Sequence, residues 1–299
     1  MFNYCNIFVI CVDHNDIKAI PQEPYVFGQQ FVDMTKRVLA HRYSLLNYYY
    51  TLFYNVHVNG GGVVKPLFYV FGKKDSNPIL ASIDSQFMVG NSLMVSPVLT
   101  EGATAVKAYI PVHPSGWFDF ASGELISLKG GEFKTFSQPL YGQVNTQVVG
   151  GSIIQQQVPG LTTFETRRNP FELTITLCQH EFKAHGEIFI DDGVTANSIE
   201  NGVFSLVTVK AAPLKTNGNI GLQTVTSHQG FIPQNAANKI QTLTFYGFEV
   251  SQPASCTVVV NARQVNSFTV DVAKRVIRIN NLDLGLFDNN MVAVLCDQQ

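Results

Sequence analysis

The chain has 299 residues, 45% apolar and only 14% charged, with 20 basic against 22 acidic side chains and a formal net charge of −2. That balance argues against disorder and against the basic footprint that nucleic acid or an anionic lipid surface requires. At ~150 residues per domain the length suggests about two domains, and no apolar run approaches the ~20 residues of a membrane helix.

Ile7-Phe8-Val9-Ile10-Cys11-Val12 reads as a short buried strand. It lacks the basic n-region and small-residue cleavage site of a leader. After a loop with Pro21 and Pro24, Phe31, Met34, Val38, Leu45, Tyr49, Phe53 and Val56 predict one amphipathic helix from about 31 to 58. Asn59-Gly60-Gly61-Gly62 stops it, because glycine tolerates the left-handed conformation of a helix end. Val63 to Phe71 predicts a second buried strand. Strand, helix and strand form a βαβ unit of the kind that builds (β/α) barrels. A whole barrel takes ~250 residues. This segment therefore either belongs to a larger barrel or packs elsewhere.

From Asp84 onward the period changes. Leu93–Leu99, Val106–Ile110, Val144–Val149, Phe171–Leu177, Glu187–Ile190, Phe204–Val209, Ile240–Phe245 and Met291–Leu295 are short β-rich runs, broken by Gly, Pro, Asn and Asp clusters. Antiparallel sandwiches have this pattern. A break at Val158-Pro159-Gly160 divides it, so residues 85–160 are expected to form a proximal β domain and 161–299 a distal one.

Several motifs recur in one order. Asp13-His14-Asn15-Asp16, Pro21-Gln22-Glu23-Pro24-Tyr25 and the run Arg42 to Tyr54 come first. Lys65-Pro66-Leu67-Phe68, Asp84-Ser85-Gln86-Phe87, Ser96-Pro97-Val98-Leu99 and Gly116-Trp117-Phe118-Asp119 follow, then Arg167, Pro170-Phe171 and the stretch Gly186 to Gly193. Together they resemble glycoside hydrolase family 31, the α-glucosidase family, from residue 13 to about 210. The resemblance implies a mainly β chain with an N-terminal βαβ remnant. Residues 1–84 would close a (β/α)8 barrel, and two antiparallel β-sandwich-like domains would follow. Two positions depart from the family: Val12 and Lys65 stand where arginine is usual.

Family members are retaining hydrolases with an aspartate nucleophile and an aspartate acid/base, held ~5–5.5 Å apart across the glycosidic bond. These lie in Trp-x-Asp-Met-Asn-Glu and Trp-x-Gly-Asp stretches. The one tryptophan here, Trp117, belongs to neither. No catalytic residue is therefore assigned, and the chain alone is expected to be inactive. The substrate implied for an intact enzyme is an α-glucoside oligosaccharide with terminal α-linked glucose. No cofactor, metal or nucleic acid is implied, and the location would be lysosomal, ER-lumenal or secreted. His14, at the end of a barrel strand, is the one substrate-binding residue carried over, as a hydrogen-bond donor to the sugar beside the nucleophile. The alternative is a non-catalytic carbohydrate- or partner-binding β protein derived from such an enzyme.

Other motifs read as structure. Asp33 in Phe31-Val32-Asp33-Met34-Thr35 imitates the nucleophile stretch but sits where a helix begins, which favours a carboxylate. His180-Glu181-Phe182-Lys183-Ala184-His185 has five-residue histidine spacing, whereas the zinc motif needs four; a polar hairpin loop is expected. Asp191-Asp192-Gly193 reads as a turn, and Tyr48-Tyr49-Tyr50 as core packing rather than a sugar platform. Cys5, Cys11, Cys178, Cys256 and Cys296 show no C-x-x-C pair. A Cys256–Cys296 disulfide is compatible with the sequence, but nothing in the spacing supports it.

Overall fold

The computed structural model describes residues 16, 18–140, 142, 144–214, 219–248 and 256–296. The predicted strand over 7–12 and His14 lie outside them.

A 3-10 turn at Pro24–Phe27 leads into α1 (Gln29–Ser44) and α2 (Leu46–Asn59), so the single expected helix is two. Ser44 turns its hydroxyl back onto His41 O at 2.7 Å, a local bond that competes with the helix ladder. Leu45 then leaves helical geometry (φ −89°, ψ 2°) and is completely buried. Gly60 ends α2 as expected, at φ +75°, its N–H on Val56 O at 2.8 Å.

The expected strand over 63–71 is cut short. Only β1 (Val64–Pro66) is extended, and the chain turns at once into α3 (Leu67–Phe71). Pro66 has no N–H to continue a ladder, and it occupies the N-cap of α3. β1 pairs antiparallel with β2 (Phe87–Val89) as the edge of a sheet.

Next come β3 (Leu93–Ser96), β4 (Ala105–Ile110), β5 (Trp117–Asp119), β6 (Leu125–Ser127), β7 (Glu132–Ser137) and β8 (Asn145–Val149). The first sheet runs β1-β2-β3-β8-β5-β6, while β4 and β7 pair separately. Tyr109 and Ile110 of β4 share a core with Met88, Met94 and Trp117 of the sheet. Trp117 is fully buried, and its Nε1–H donates to Pro111 O at 2.8 Å.

β9 (Ser152–Gln157) is separated from β8 by only two residues but belongs to the second sheet. The crossing point is Gly150-Gly151. A Cβ on Gly150 would stand 2.0 Å from Ser115 O, so only glycine fits there. A short helix, α4 (Thr163–Thr166), then precedes β10 (Phe171–Thr176), β11 (Ala184–Ile190), β12 (Ser205–Pro213), β13 (Ile220–Gln229) and β14 (Lys239–Tyr246). The remaining strands are β15 (Cys256–Val260), β16 (Arg263–Val265), β17 (Phe268–Asp271), β18 (Val276–Ile279), β19 (Leu284–Gly285) and β20 (Met291–Cys296). Their order is β16-β15-β20-β13-β12-β11-β9-β10-β14-β18-β17, with β19 on β14. Val258 of β15 and Ile277 of β18, from opposite ends of this order, share one core with Leu173, Ile188 and Val207. The sheet therefore curls onto itself. Most pairs are antiparallel, but β10 runs parallel to β14.

The β10–β11 loop, which holds His180 to Lys183, is not the expected hairpin. β9 lies between β10 and β11, so the loop crosses the β9 end, with Cys178 N–H on Lys183 O at 2.9 Å.

His113 packs edge-on against Phe71 and Trp117 and accepts from Ser115 N–H through Nδ1 at 3.3 Å. Burial, assisted by the Lys74 charge, lowers its pKa from 6.5 to about 4. The fold therefore holds the neutral ring, while the unfolded chain binds a proton between pH 6.5 and 4. The stability from this site is complete above pH 6.5 and drains away as pH falls towards 4. Urea midpoints across this window should fall more steeply for the native chain than for His113→Asn. Parallel curves would remove His113 as a source.

Candidate functional site at the helix–sheet joint

β9 and β11 meet at one parallel bridge, His185 to Ser152, and then splay apart, so the far half of β11, paired with β12 on one side, has no strand on its β9 side. Helix α2 fills that gap with side chains. Thr51 Oγ1 accepts from Phe189 N–H at 3.0 Å and from Gln155 Nε2 at 2.9 Å, while donating to Asn47 O at 3.0 Å. One turn earlier, Asn47 Nδ2 donates to Phe189 O at 3.0 Å. Both backbone groups of Phe189 are thus satisfied by an i, i+4 pair on a helix, as buried peptide groups require.

Tyr50 extends the joint from the next helical position. Its hydroxyl lies 2.8 Å from both oxygens of Asp191, which is 4% exposed. Ser198 Oγ donates to Asp191 at 2.7 Å and Gly193 N–H at 2.8 Å. Arg167 Nη2 reaches Asp191 O at 2.8 Å and Oδ1 at 3.3 Å, with its guanidinium over the Tyr50 ring. Burial first, then the Asp191 partner, raises the Tyr50 pKa, so the phenol stays protonated and donating. Gly193, at φ +69°, lies so close that a Cβ would fall 1.3 Å from Arg167 Nη1. Phe189 stacks on Tyr54 with ring centres 4.6 Å apart.

This arrangement is a clamp rather than a reactive centre. Both Asp191 oxygens are engaged by donors of the protein itself. Asp192 caps a turn, accepting from Val194 N–H, Thr195 N–H and the Thr195 hydroxyl. Those donors, the Thr195 hydroxyl first, hold its pKa down to about 2. Asp191-Asp192-Gly193 is therefore a turn, as read, and Asp191 additionally anchors a helix. Among the described residues no three His, Cys, Asp or Glu side chains converge as a metal site would require.

The other candidates fall elsewhere. Asp33 is exposed on α1, where Gln29 Nε2 donates to it at 2.8 Å. It sits in the second turn, past the helix start where it was expected. Tyr48 and Tyr49 are buried with Leu45, Val89 and Phe118, whereas Tyr50 forms the clamp instead of joining that core. The clamp itself escaped the sequence reading. Its one local signal is the polar pair Asn47 and Thr51 at i, i+4 within a helix otherwise dominated by Tyr, Leu and Phe. Beside it opens a cavity of about 330 Å³.

Comparison with known proteins adds two matches of one origin. Residues 3–52 match the glycosyl hydrolases family 31 TIM-barrel domain, and residues 60–154 the glycosyl hydrolase family 31 C-terminal domain. The chain belongs to glycoside hydrolase family 31. The barrel match begins at residue 3, earlier than the likeness from residue 13, and takes in α1 and the first half of α2. An uncharacterized family 31 glucosidase of Schizosaccharomyces pombe is 34% identical over 86% of this chain and 24% of its own length. The lysosomal alpha-glucosidase of Mus musculus is 35% identical over 67% of this chain and 22% of its own length. The chain thus spans a quarter or less of these family 31 relatives. In fold, it matches a family 31 dextranase of Flavobacterium johnsoniae complexed with isomaltotriose, at TM-score 0.74 and 20% identity, over 91% of this chain and 34% of the dextranase. The chain is therefore a mainly β family 31 unit, the end of the barrel followed by the β domains. Among its described residues no helix is long and apolar enough to cross a membrane.

Proposed function

We propose that the chain is the C-terminal part of a retaining α-glucosidase that releases terminal α-linked glucose from oligosaccharides. The observation that carries this reading is the pair of family 31 matches in barrel-then-β order, together with 35% identity to a lysosomal alpha-glucosidase. In this reading residues 1–84 close the barrel and the two sheets buttress it. Both carboxyl groups of the retaining mechanism come from sequence outside these 299 residues, since neither aspartate motif occurs within them. The clamp holds α2, and hence the barrel end before it, against the distal sheet. His14 would line one wall of the sugar pocket, donating a hydrogen bond that strengthens as the oxocarbenium-like state forms.

The missing aspartate motifs also favour a second reading, a carbohydrate- or partner-binding β protein that has shed its catalytic part. One experiment separates the two. The chain is assayed on an aryl α-glucoside alone and after joining to the preceding segment of a family 31 relative. No turnover alone and clear turnover when joined is the expected pattern. In the joined enzyme, His14→Ala should lower kcat/KM at least about tenfold, equivalent to ~1.4 kcal/mol, with little change in Tm. Turnover by the chain alone that survives Asp33→Ala would overturn the division of labour. A folded but inactive joined protein would favour the binding protein.

A further inference from the structure

At the end of β11 away from the clamp, a second cavity of about 600 Å³ opens at the joint between the two sheets. The β10–β11 loop forms one side of it with His180, Glu181 and Lys183. Ser115 and Gly151 come from the crossing between the sheets, and His185 and Lys210 from β11 and β12. The loop is held in one shape. Phe182 N–H donates to Cys178 O at 2.7 Å, Cys178 N–H donates to Lys183 O at 2.9 Å, and Phe182 takes φ +49°. A bulky residue rarely occupies that left-handed region, and the surrounding structure must over-determine it. Register sets the rest. Ala184 and Ala211 pair and face the core, so Lys183, His185 and Lys210 fall together on the outer face. His185 stands directly opposite Lys210. Lys183 lies diagonally from Lys210, a separation of ~7–8 Å between such positions.

The charge on this lining is uneven. Its one carboxylate, Glu181, is matched by Lys183 Nζ at 3.0 Å. Both side chains of that pair are exposed, so it contributes little and Lys183 can turn to a ligand. Lys210 has no ion-pair partner among the described residues. Glu187, next on the same face of β11, is not part of the cavity wall. A cation would meet two ammonium groups here. A neutral sugar would find no ring to stack on, because the apolar lining is Pro114, Ala184, Ala211 and Ala212. What fits is an anion with several acceptor oxygens. A phosphate group takes charge-assisted bonds from lysine and further hydrogen bonds from imidazole N–H and the Ser115 hydroxyl. A volume of about 600 Å³ also leaves room for a small molecule that carries the phosphate.

We propose that this cavity binds a phosphate group, free or carried on a small molecule, between Lys210, His185 and Lys183. Inorganic phosphate and glucose 6-phosphate, titrated separately into the 299-residue chain by calorimetry at one low ionic strength, should give saturable binding. Whichever binds more tightly shows whether the site takes the free ion or a phosphate with its carrier. Lys210→Met should raise Kd about fivefold or more, the scale of one charged contact at a partly exposed site. Its circular dichroism spectrum should not change, because the Lys210 side chain is exposed. Glu181→Gln, which releases Lys183, should tighten binding. Lys239→Met removes a lysine paired with Asp283 elsewhere on the surface and should leave Kd unaltered. No saturation by either phosphate, or a Kd unmoved by Lys210→Met, overturns the site. Equal weakening by Lys239→Met overturns it as well, since the binding would then follow the diffuse surface charge. So does displacement of glucose 6-phosphate by neutral glucose, which would make the sugar the recognised group. Binding is read on the chain alone, independently of the glucosidase reading.

Discussion

Replacing Asp191 by alanine is expected to destabilise the chain by about 3–5 kcal/mol, the cost of removing one partner from a buried charged pair. For a protein of this size that is a fall in Tm of roughly 10 °C. The carboxylate is 4% exposed and is the shared acceptor for Tyr50, Ser198, Gly193 and Arg167. Alanine would leave three neutral donors without their acceptor and take the carboxylate from a guanidinium that keeps its 2.8 Å bond to the residue 191 carbonyl. Tyr50→Phe removes only one donor from a carboxylate that keeps the rest, so about 1.5–3 kcal/mol is the upper range for a bond to a charged group. The two changes share a contact and should combine to less than their sum. Limited proteolysis should then cut the β11–β12 connection first. An Asp191→Ala chain within about 0.5 kcal/mol of the native one, the ordinary range for a surface change, would show that the clamp carries no stability.

Breaking the Cys256–Cys296 disulfide should cost a similar amount. The two cysteines face each other directly across β15 and β20 and close a loop with a sequence separation of 40. Loop-closure entropy assigns such a crosslink about 4 kcal/mol, with measured values spread around 2–4. The double change Cys256→Ala and Cys296→Ala avoids leaving a lone thiol. It should lower the urea midpoint and raise amide exchange in β15, β16 and β20 while leaving the first sheet protected. Identical midpoints with and without reductant, or the absence of a linked Cys256–Cys296 peptide in an unreduced digest, would refute the crosslink. Disulfides of this structural kind persist in oxidising compartments, which supports a lysosomal, ER-lumenal or secreted setting for the proposed enzyme.

The sequence reading was most accurate where the signal is local. Glycine at 60 ends a helix because the backbone there turns left-handed, and runs such as Val106–Ile110 and Phe171–Leu177 alternate as strands do. It failed where neighbours override local preference. Gln155, Gln156 and Gln157, a polar run that no apolar pattern marks as a strand, lie in β9. Gln155 and Gln157 are buried there, with their amides spent on Thr51 and Asn169 O. The helix expected as one piece divides at Leu45, where Ser44 Oγ accepts from Gln156 Nε2 of the second sheet at 3.2 Å and Leu45 enters the core. Tyr50 looked like its two neighbours, and only the position of Asp191 sets it apart.

By itself the sequence determined the family, the succession of barrel end and β domains, and the absence of both aspartate motifs. Each is written in residues close together along the chain, and motif order survives without coordinates. Only the tertiary structure decided the clamp and the cavity beside it. Thr51 and Phe189 are separated by 138 positions and Tyr50 and Asp191 by 141. No local propensity encodes a contact at that distance. It forms because β9 and β11 diverge after one bridge and leave peptide groups that a polar pair on α2 satisfies.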